Sequence, residues 1–299
     1  MHKVCLVSHA YLDINVNSFV CTTATQSVYI DSGLYKNRAT LGELMNGRSS
    51  ILSTHGHWDH IGAHRYLQER GAVVMAHSGD ERFFFDHRWH WEILFKQFVG
   101  DFDLPTAREE TFRKEIGEPV SIDRTIVDGQ LLMFDDLSFQ VIHTPGHSDG
   151  SLCFLEMGNG ILFTGDSLMG DGFFSGIPQY TDPDAYVASM NKLKNLKASI
   201  LYSAHNDPAP GDLLAEKAER SIACVGRIDA EVKDYVVRNR DREEMRLGDV
   251  VSLVCKAEGK CVGAGACVTV LSHLEKLRTQ FPAVECCIRD HFGSCGVGG

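Results

Sequence analysis

Basic residues are scarce in this chain. Its 29 Lys and Arg stand against 40 Asp and Glu, a formal net charge of −11. No Lys/Arg-rich run occurs, and affinity for nucleic acid rests largely on such residues neutralising phosphates, so a nucleic-acid partner is not expected. The deficit is local: residues 216–299 carry 13 basic and 13 acidic side chains, so the whole acidic excess lies in residues 1–215. Long apolar runs are also missing. None approaches the ~20 residues that span a bilayer, and no membrane partner is expected. The segment 1–7 is too short and too interrupted by polar residues for a signal peptide and reads as a first strand. No proline precedes Pro105, so the first third offers no obvious boundary. Internal repeats and low-complexity linkers are absent. The ten cysteines show no C-x2-C zinc spacing and no secretory context, which points to free thiols in a reducing, cytoplasmic setting.

What the chain does have is concentrated in Ser53-Thr54-His55-Gly56-His57-Trp58-Asp59-His60. The apolar Ile51-Leu52 precedes it and an amphipathic segment follows, a pattern of strand, tight loop and helix. Imidazoles at i and i+2 can face the same way, and Gly56 between them lets the backbone bend. Imidazole and carboxylate together suit zinc, iron or manganese. Three later places each set a His or Asp just past a β-prone run. They are His147 in His143-Thr144-Pro145-Gly146-His147, Asp166 in Phe163-Thr164-Gly165-Asp166, and His205 in Ser203-Ala204-His205. Four strand ends meeting at one edge of a sandwich would build a single site.

The series THGHWDHIGA, HTPGHSDGS, FTGDS and SAHN resembles the metallo-β-lactamase superfamily, and most closely its glyoxalase II-like branch. Asn17-Ser18-Phe19-Val20 and Tyr29-Ile30-Asp31-Ser32-Gly33 are similar to that superfamily's opening strands, and the resemblance covers roughly residues 13–210. It implies a four-layer αββα sandwich and two divalent metal ions, with zinc preferred and iron or manganese as alternatives. It assigns His55, His57 and His147 to one metal and Asp59, His60 and His205 to the second, with Asp166 as the bridge. Two such ions ~3.5–4 Å apart lower the pKa of a shared water toward ~7 and hold the oxyanion that develops. Asp59 would also handle the proton. The implied activity is hydrolysis of a small thioester or ester. A lactonase of the same fold is the alternative, although the Tyr that this branch often places three residues after the bridging Asp is Met169 here. Mononuclear-iron persulfide dioxygenases share the HxHxDH and TPGH-x-D-G features, but His205 argues for two metals. A nuclease or phosphodiesterase is disfavoured by the acidic charge.

The remaining sequence divides by pattern. Residues 1–212 read as the catalytic domain and 213–299 as a Cys-rich, mainly helical region. Helices are expected over 38–46, 59–70, 182–196, 211–237 and 267–280, and Asp128-Gly129 as a turn between short strands. Residues 79–117 read as a helical insertion rich in aromatics. Either its aromatic stripe packs on the sandwich or it caps the metals and lines an apolar pocket. Trp89, Trp91, Phe173 and Tyr180 are the candidate substrate-binding residues. Trp89 and Trp91 lie about 200° apart on a helix, so at most one can face the pocket. A homodimer is expected slightly over a monomer.

Overall fold

Alternation along the strands determines how this molecule is layered. In the computed structural model, which describes residues 3–11, 14–95, 98, 107–170, 172, 176–241, 245–281 and 284, two six-stranded sheets lie face to face. The first has the order β1 (Lys3–Tyr11), β2 (Ile14–Thr22), β3 (Gln26–Ile30), β4 (Arg48–Leu52), β5 (Ala72–Ala76), β6 (Arg124–Thr125). Its β1–β3 are antiparallel and β3–β6 parallel. The second has the order β12 (Ala209–Pro210), β11 (Ile200–Ser203), β10 (Ile161–Gly165), β9 (Leu152–Glu156), β8 (Leu137–His143), β7 (Leu131–Phe134). Only its β10–β11 pair is parallel.

Successive side chains on a strand point to opposite faces. Phe19, Cys21, Val28, Ile30 and Leu52 therefore meet Phe139, Val141, Phe154, Ile161 and Phe163 in the space between the sheets. Their neighbours Val20, Tyr29 and Ile51 turn outward under Leu41, Trp58, Leu67, Phe84, Trp91 and Phe112. On the other side Ile142, Cys153, Leu162 and Leu201 turn outward under Tyr186, Met190, Leu193, Leu214 and Ala218. The result is the αββα sandwich. The helices over the first sheet are α1 (Arg38–Glu43), α2 (Trp58–Ile61), α3 (His64–Gln68), α4 (Glu81–Phe85), α5 (His87–Leu94) and α6 (Ala107–Glu115). Those over the second are α7 (Pro183–Leu193) and the start of α8 (Leu214–Asn239). The far part of α8 packs with α9 (Leu247–Ala257) and α10 (Ala264–Leu277) in a separate apolar cluster.

Most elements fall where the sequence pattern places them. The helix expected over 59–70 is instead two short pieces, α2 and α3. Gly62 donates its N–H to the Gly33 carbonyl at 2.8 Å, and Ala63 donates to Ser32 Oγ at 3.0 Å. Those bonds draw the backbone toward β3 and interrupt the helical ladder. Cys286, Cys287, Cys295 and Phe173 lie outside the described residues. Among the described residues no helix is long and apolar enough to cross a membrane.

Candidate metal centre

Four strands end at one edge of the sandwich and carry the seven expected residues together. β4 runs into the His55–His60 loop, β8 into the turn holding His147, β10 into Asp166 and β11 into His205. Bonds between the sheets pin this edge: Leu152 N–H donates to the Thr54 carbonyl and Asn17 N–H to the Ala204 carbonyl, each at 2.7 Å. Gly165 has φ +49, and a Cβ there would sit 2.4 Å from Thr54 Oγ1. Gly146 has φ +128, and a Cβ would meet the backbone of Tyr186 at 2.4 Å. Glycine permits both close approaches.

Six of the seven side chains are buried, and Asp59 is slightly open to solvent. His147 Nε2 lies 2.9 Å from His57 Nδ1 and 3.2 Å from His55 Nε2, so three ring nitrogens converge on one point. Beside them His205 Nε2 is 3.5 Å from Asp59 Oδ2, and His60 Nε2 is 3.9 Å from the same oxygen. Asp166 stands between the groups. Its Oδ2 is 3.7 Å from His147 Nε2 and 3.3 Å from His205 Nε2, and its Oδ1 is 3.5 Å from His60 Nε2.

The outer nitrogens of these rings set their tautomers. Nδ1 of His147 donates to the Gln179 carbonyl and Nδ1 of His205 to the Asn15 carbonyl, each at 2.7 Å. His60 Nδ1 lies 2.8 Å from Asp31 Oδ2, and His55 Nδ1 lies 3.1 Å from Thr54 Oγ1. With Nδ1–H committed outward, the Nε2 atoms of His55, His60, His147 and His205 face one another. Among the described residues neither His60 Nε2 nor Asp166 Oδ1 makes a well-formed hydrogen bond; the two atoms only approach each other at 3.5 Å. Ring nitrogens crowded together in a buried site are costly unless protons or a cation sit among them. Hydrogen-bonded imidazoles around a shared centre are also the usual outer arrangement of metal sites. The donor set therefore fits divalent cations, in the three groupings His55–His57–His147, His55–His60–Asp166 and Asp59–His60–His205.

Electrostatics agree. Burial, then the neighbouring imidazoles, hold His55 and His57 well below the ordinary imidazole range. Burial acts the same way on His60 and His205, but Asp166 and Asp59 outweigh it and raise both. Burial opposes the Asp166 anion, yet His205 and His60 hold its carboxyl well below the usual range.

Sequence reasoning missed Asp80, the carboxylate that joins the two ligand loops. It accepts from Gly56 N–H at 2.8 Å, Gly150 N–H at 2.7 Å and Ser148 Oγ at 2.7 Å. Asp80 follows β5 with no motif around it, so no sequence signal marks it. His64 was missed as well. It is buried beneath the loop, with Nδ1 2.6 Å from Ser32 Oγ and Nε2 against Ser53 Oγ. Burial, then His60, pushes His64 down to about 3, so it is a neutral strut.

The candidate substrate residues separate. Trp91 is buried and stacks on Phe95 at 4.9 Å, with Phe112 at 5.3 Å, so it belongs to the core of the inserted segment. Tyr180 is 0% exposed and stacks on Tyr186 at 5.1 Å, which leaves it no open face. Trp89 is half-buried against Phe83 at 4.8 Å, and Phe83 packs on His57 at 5.2 Å. Phe84, Trp91 and Phe112 cover the sandwich, while Phe83 reaches the His cluster.

A four-layer sandwich with a buried His/Asp cluster at one edge defines an α/β metal-binding protein. Residues 13–205 match the family model described as "Metallo-beta-lactamase superfamily", and the chain belongs to that superfamily. It is 25% identical over 255 residues to an atrochrysone carboxyl ACP thioesterase of Aspergillus fumigatus, covering 81% of this chain and 66% of that one. It is 32% identical over 144 residues to the atrochrysone carboxyl ACP thioesterase of Claviceps purpurea, 45% of this chain and 42% of the other. The chain thus spans just under two thirds of the first relative and less than half of the second. A beta-lactamase-like protein 2 homolog of Drosophila melanogaster is 24% identical over 275 residues, covering 88% and 82%. Among solved structures, a metallo-beta-lactamase family protein of Thermus thermophilus shares the fold with a TM-score of 0.70, at 23% identity and 93% coverage of both chains.

Proposed function

We propose that this protein is a binuclear metal-dependent hydrolase that cleaves a small, largely apolar acyl thioester. The observation that carries the reading is the convergence of four Nε2 atoms, His57 Nδ1 and two carboxylates in three overlapping groups of possible ligands. His55, His57 and His147 would hold one ion, Asp59, His60 and His205 the other, with Asp166 between them. When bound, such ions supply a hydroxide at neutral pH and positive charge for a developing oxyanion. Nitrogen and carboxylate donors without thiolate suit zinc, and accept iron or manganese.

The chain's own residues would do the rest. Asp59 keeps its carboxylate slightly open to solvent, with 12% of its side chain exposed, and is placed to pass a proton out of the site. Gln179, Asn15, Asp31 and Thr54 hold the imidazoles at fixed angles. Phe83 and Trp89 form an aromatic wall next to His57, suited to an acyl chain. The thioester reading is supported by the names of the Aspergillus and Claviceps relatives. The full second set of donors argues against a mononuclear dioxygenase. Met169 packs with Tyr186 in the outer core, where the lactonase branch would place a tyrosine.

Purified protein loaded with zinc, manganese or iron should be tested on acyl-CoA, S-acylglutathione, N-acyl homoserine lactone, bis-aryl phosphodiester and glutathione persulfide with oxygen. Turnover fastest on thioesters, with loss on chelation and return on metal addition, is expected. Persulfide-dependent oxygen uptake with one iron per chain would replace this reading.

A further inference from the structure

We infer that α10 of the C-terminal helical region positions the metal centre, with Thr269 as a clamp on the peptide that orients His147. The inference rests on the reading of His147 as a ligand.

The chain of contacts is short. His147 Nδ1 donates to the Gln179 carbonyl at 2.7 Å, and that bond sets which way the ring presents Nε2. Gln179 is held from both sides by one side chain of α10. Thr269 Oγ1 donates to the Pro178 carbonyl at 2.7 Å and accepts from Tyr180 N–H at 3.2 Å. One hydroxyl thus straddles Gln179 and fixes the peptide planes on either side of it. Thr269 and Tyr180 are both 0% exposed, so no solvent competes for these bonds.

A second contact anchors the same segment to the same helix. Tyr180 Oη lies 2.8 Å from His273 Nε2, and His273 Nδ1 lies 3.0 Å from Asp229 Oδ1 on α8. The carboxylate accepts from Nδ1–H, so Nε2 accepts from the tyrosine hydroxyl. His273 stands four residues after Thr269, on the same face of α10. Gln179 itself packs on Gly265 of that helix, where a Cβ would sit 2.8 Å from Gln179 Oε1. On its other side the segment holds the His147 turn: Thr181 N–H donates to the Gly146 carbonyl at 2.8 Å and Asp182 N–H at 3.2 Å. The segment 178–182 is therefore a bracket between α10 and the His147 turn. Thr269 fastens the end of it that carries the Gln179 carbonyl.

Removing a partner that orients a ligating imidazole typically costs 10–100-fold in metal affinity. Thr269 acts one step further out, so a loss of about 10-fold at one of two ions is expected. The experiment is chelator competition and visible absorption of the Co(II)-loaded full chain, comparing wild type, Thr269→Val, Thr269→Ser, Tyr180→Phe and His147→Ala. Thr269→Val should weaken one ion about 10-fold and shift its absorption bands, at an unchanged far-UV circular dichroism spectrum. Thr269→Ser keeps the hydroxyl and should restore both. Tyr180→Phe should weaken the same ion more modestly, and it decides the question if Thr269→Val does not fold. His147→Ala should lose that ion outright. Affinities of Thr269→Val and Tyr180→Phe within about twofold of wild type, with unshifted bands, would overturn the clamp. Unchanged metal binding in His147→Ala would instead overturn the assignment of His147 itself.

Discussion

Asp31 ties the end of β4 to the His60 ring. It adopts φ +57, a left-handed conformation uncommon outside glycine, asparagine and aspartate. From there Oδ1 accepts from Thr54 N–H at 2.7 Å, while Oδ2 accepts from Thr54 Oγ1 at 2.7 Å and receives His60 Nδ1 at 2.8 Å. Every approaching group is a donor. Asp31→Asn therefore turns one acceptor into a donor facing a donor, and it should lower metal affinity about 10–100-fold, measured by chelator competition. The two carboxylates at the cluster should respond differently. Asp166→Ala removes the group shared by both points and should cost at least one ion per chain by elemental analysis. Asp59→Asn should retain most of the metal and lower kcat, because it removes the proton-handling group. Equal metal loss in both would remove the case for a separate role for Asp59. The seven donors were legible because each is a chemically distinctive side chain following an apolar run. Gln179 and Asn15 were not, since they act through backbone carbonyls that every residue has. Asp80 was not, since nothing in its neighbours marks a carboxylate that binds Gly56, Ser148 and Gly150 from other loops.

At the scale of elements, α5 divides its aromatics between two tasks. Trp91 faces Phe95 and Phe112, while Trp89 faces Phe83, with the Arg82 guanidinium 4.5 Å over its ring. The two rings meet different neighbours, as their spacing on a helix requires, although sequence alone does not say which ring turns inward. Trp91→Ala should destabilise the fold by about 3–5 kcal/mol through the cavity it leaves, seen in urea unfolding. Trp89→Ala should leave stability nearly unchanged. It should lower kcat/KM for long acyl thioesters more than for acetyl, by about 1–3 kcal/mol of lost apolar contact. A flat acyl-length profile would remove Trp89 from the substrate wall. Strand positions and the longer helices α7, α8 and α10 were legible from period and caps. Asp182, for example, accepts from Asp184 and Ala185 N–H as an N-cap ahead of Pro183. The break between α2 and α3 was not legible, because it is imposed by bonds to Ser32 and Gly33 that periodicity cannot report.

Across the whole molecule, charge and protonation make two statements about binding. The excess of acidic over basic residues lies in the part of the chain that carries the site. Turnover should therefore respond weakly to salt, and RNA and DNA should not be cleaved at low salt. Protonation concerns the metal-free protein. Asp166 and Asp59 raise His60 and His205, so both rings carry protons in the range where free imidazole is losing them. Their ion pairs with Asp166 stabilise the metal-free fold below about pH 6.5, and that stability fades as pH rises through their raised values. A cation must displace these protons. Metal uptake near neutral pH should release protons, visible as a dependence of the titration heat on buffer ionisation enthalpy, and affinity should rise with pH. Everything proposed for the site depends on the two-ion arrangement. The most direct measurement is a crystal structure of the zinc-loaded protein with anomalous data at the zinc edge. It should show two ions, with His55, His57 and His147 on one, Asp59, His60 and His205 on the other, and Asp166 between, at about 2.0–2.2 Å. A single ion with His205 turned away would contradict it.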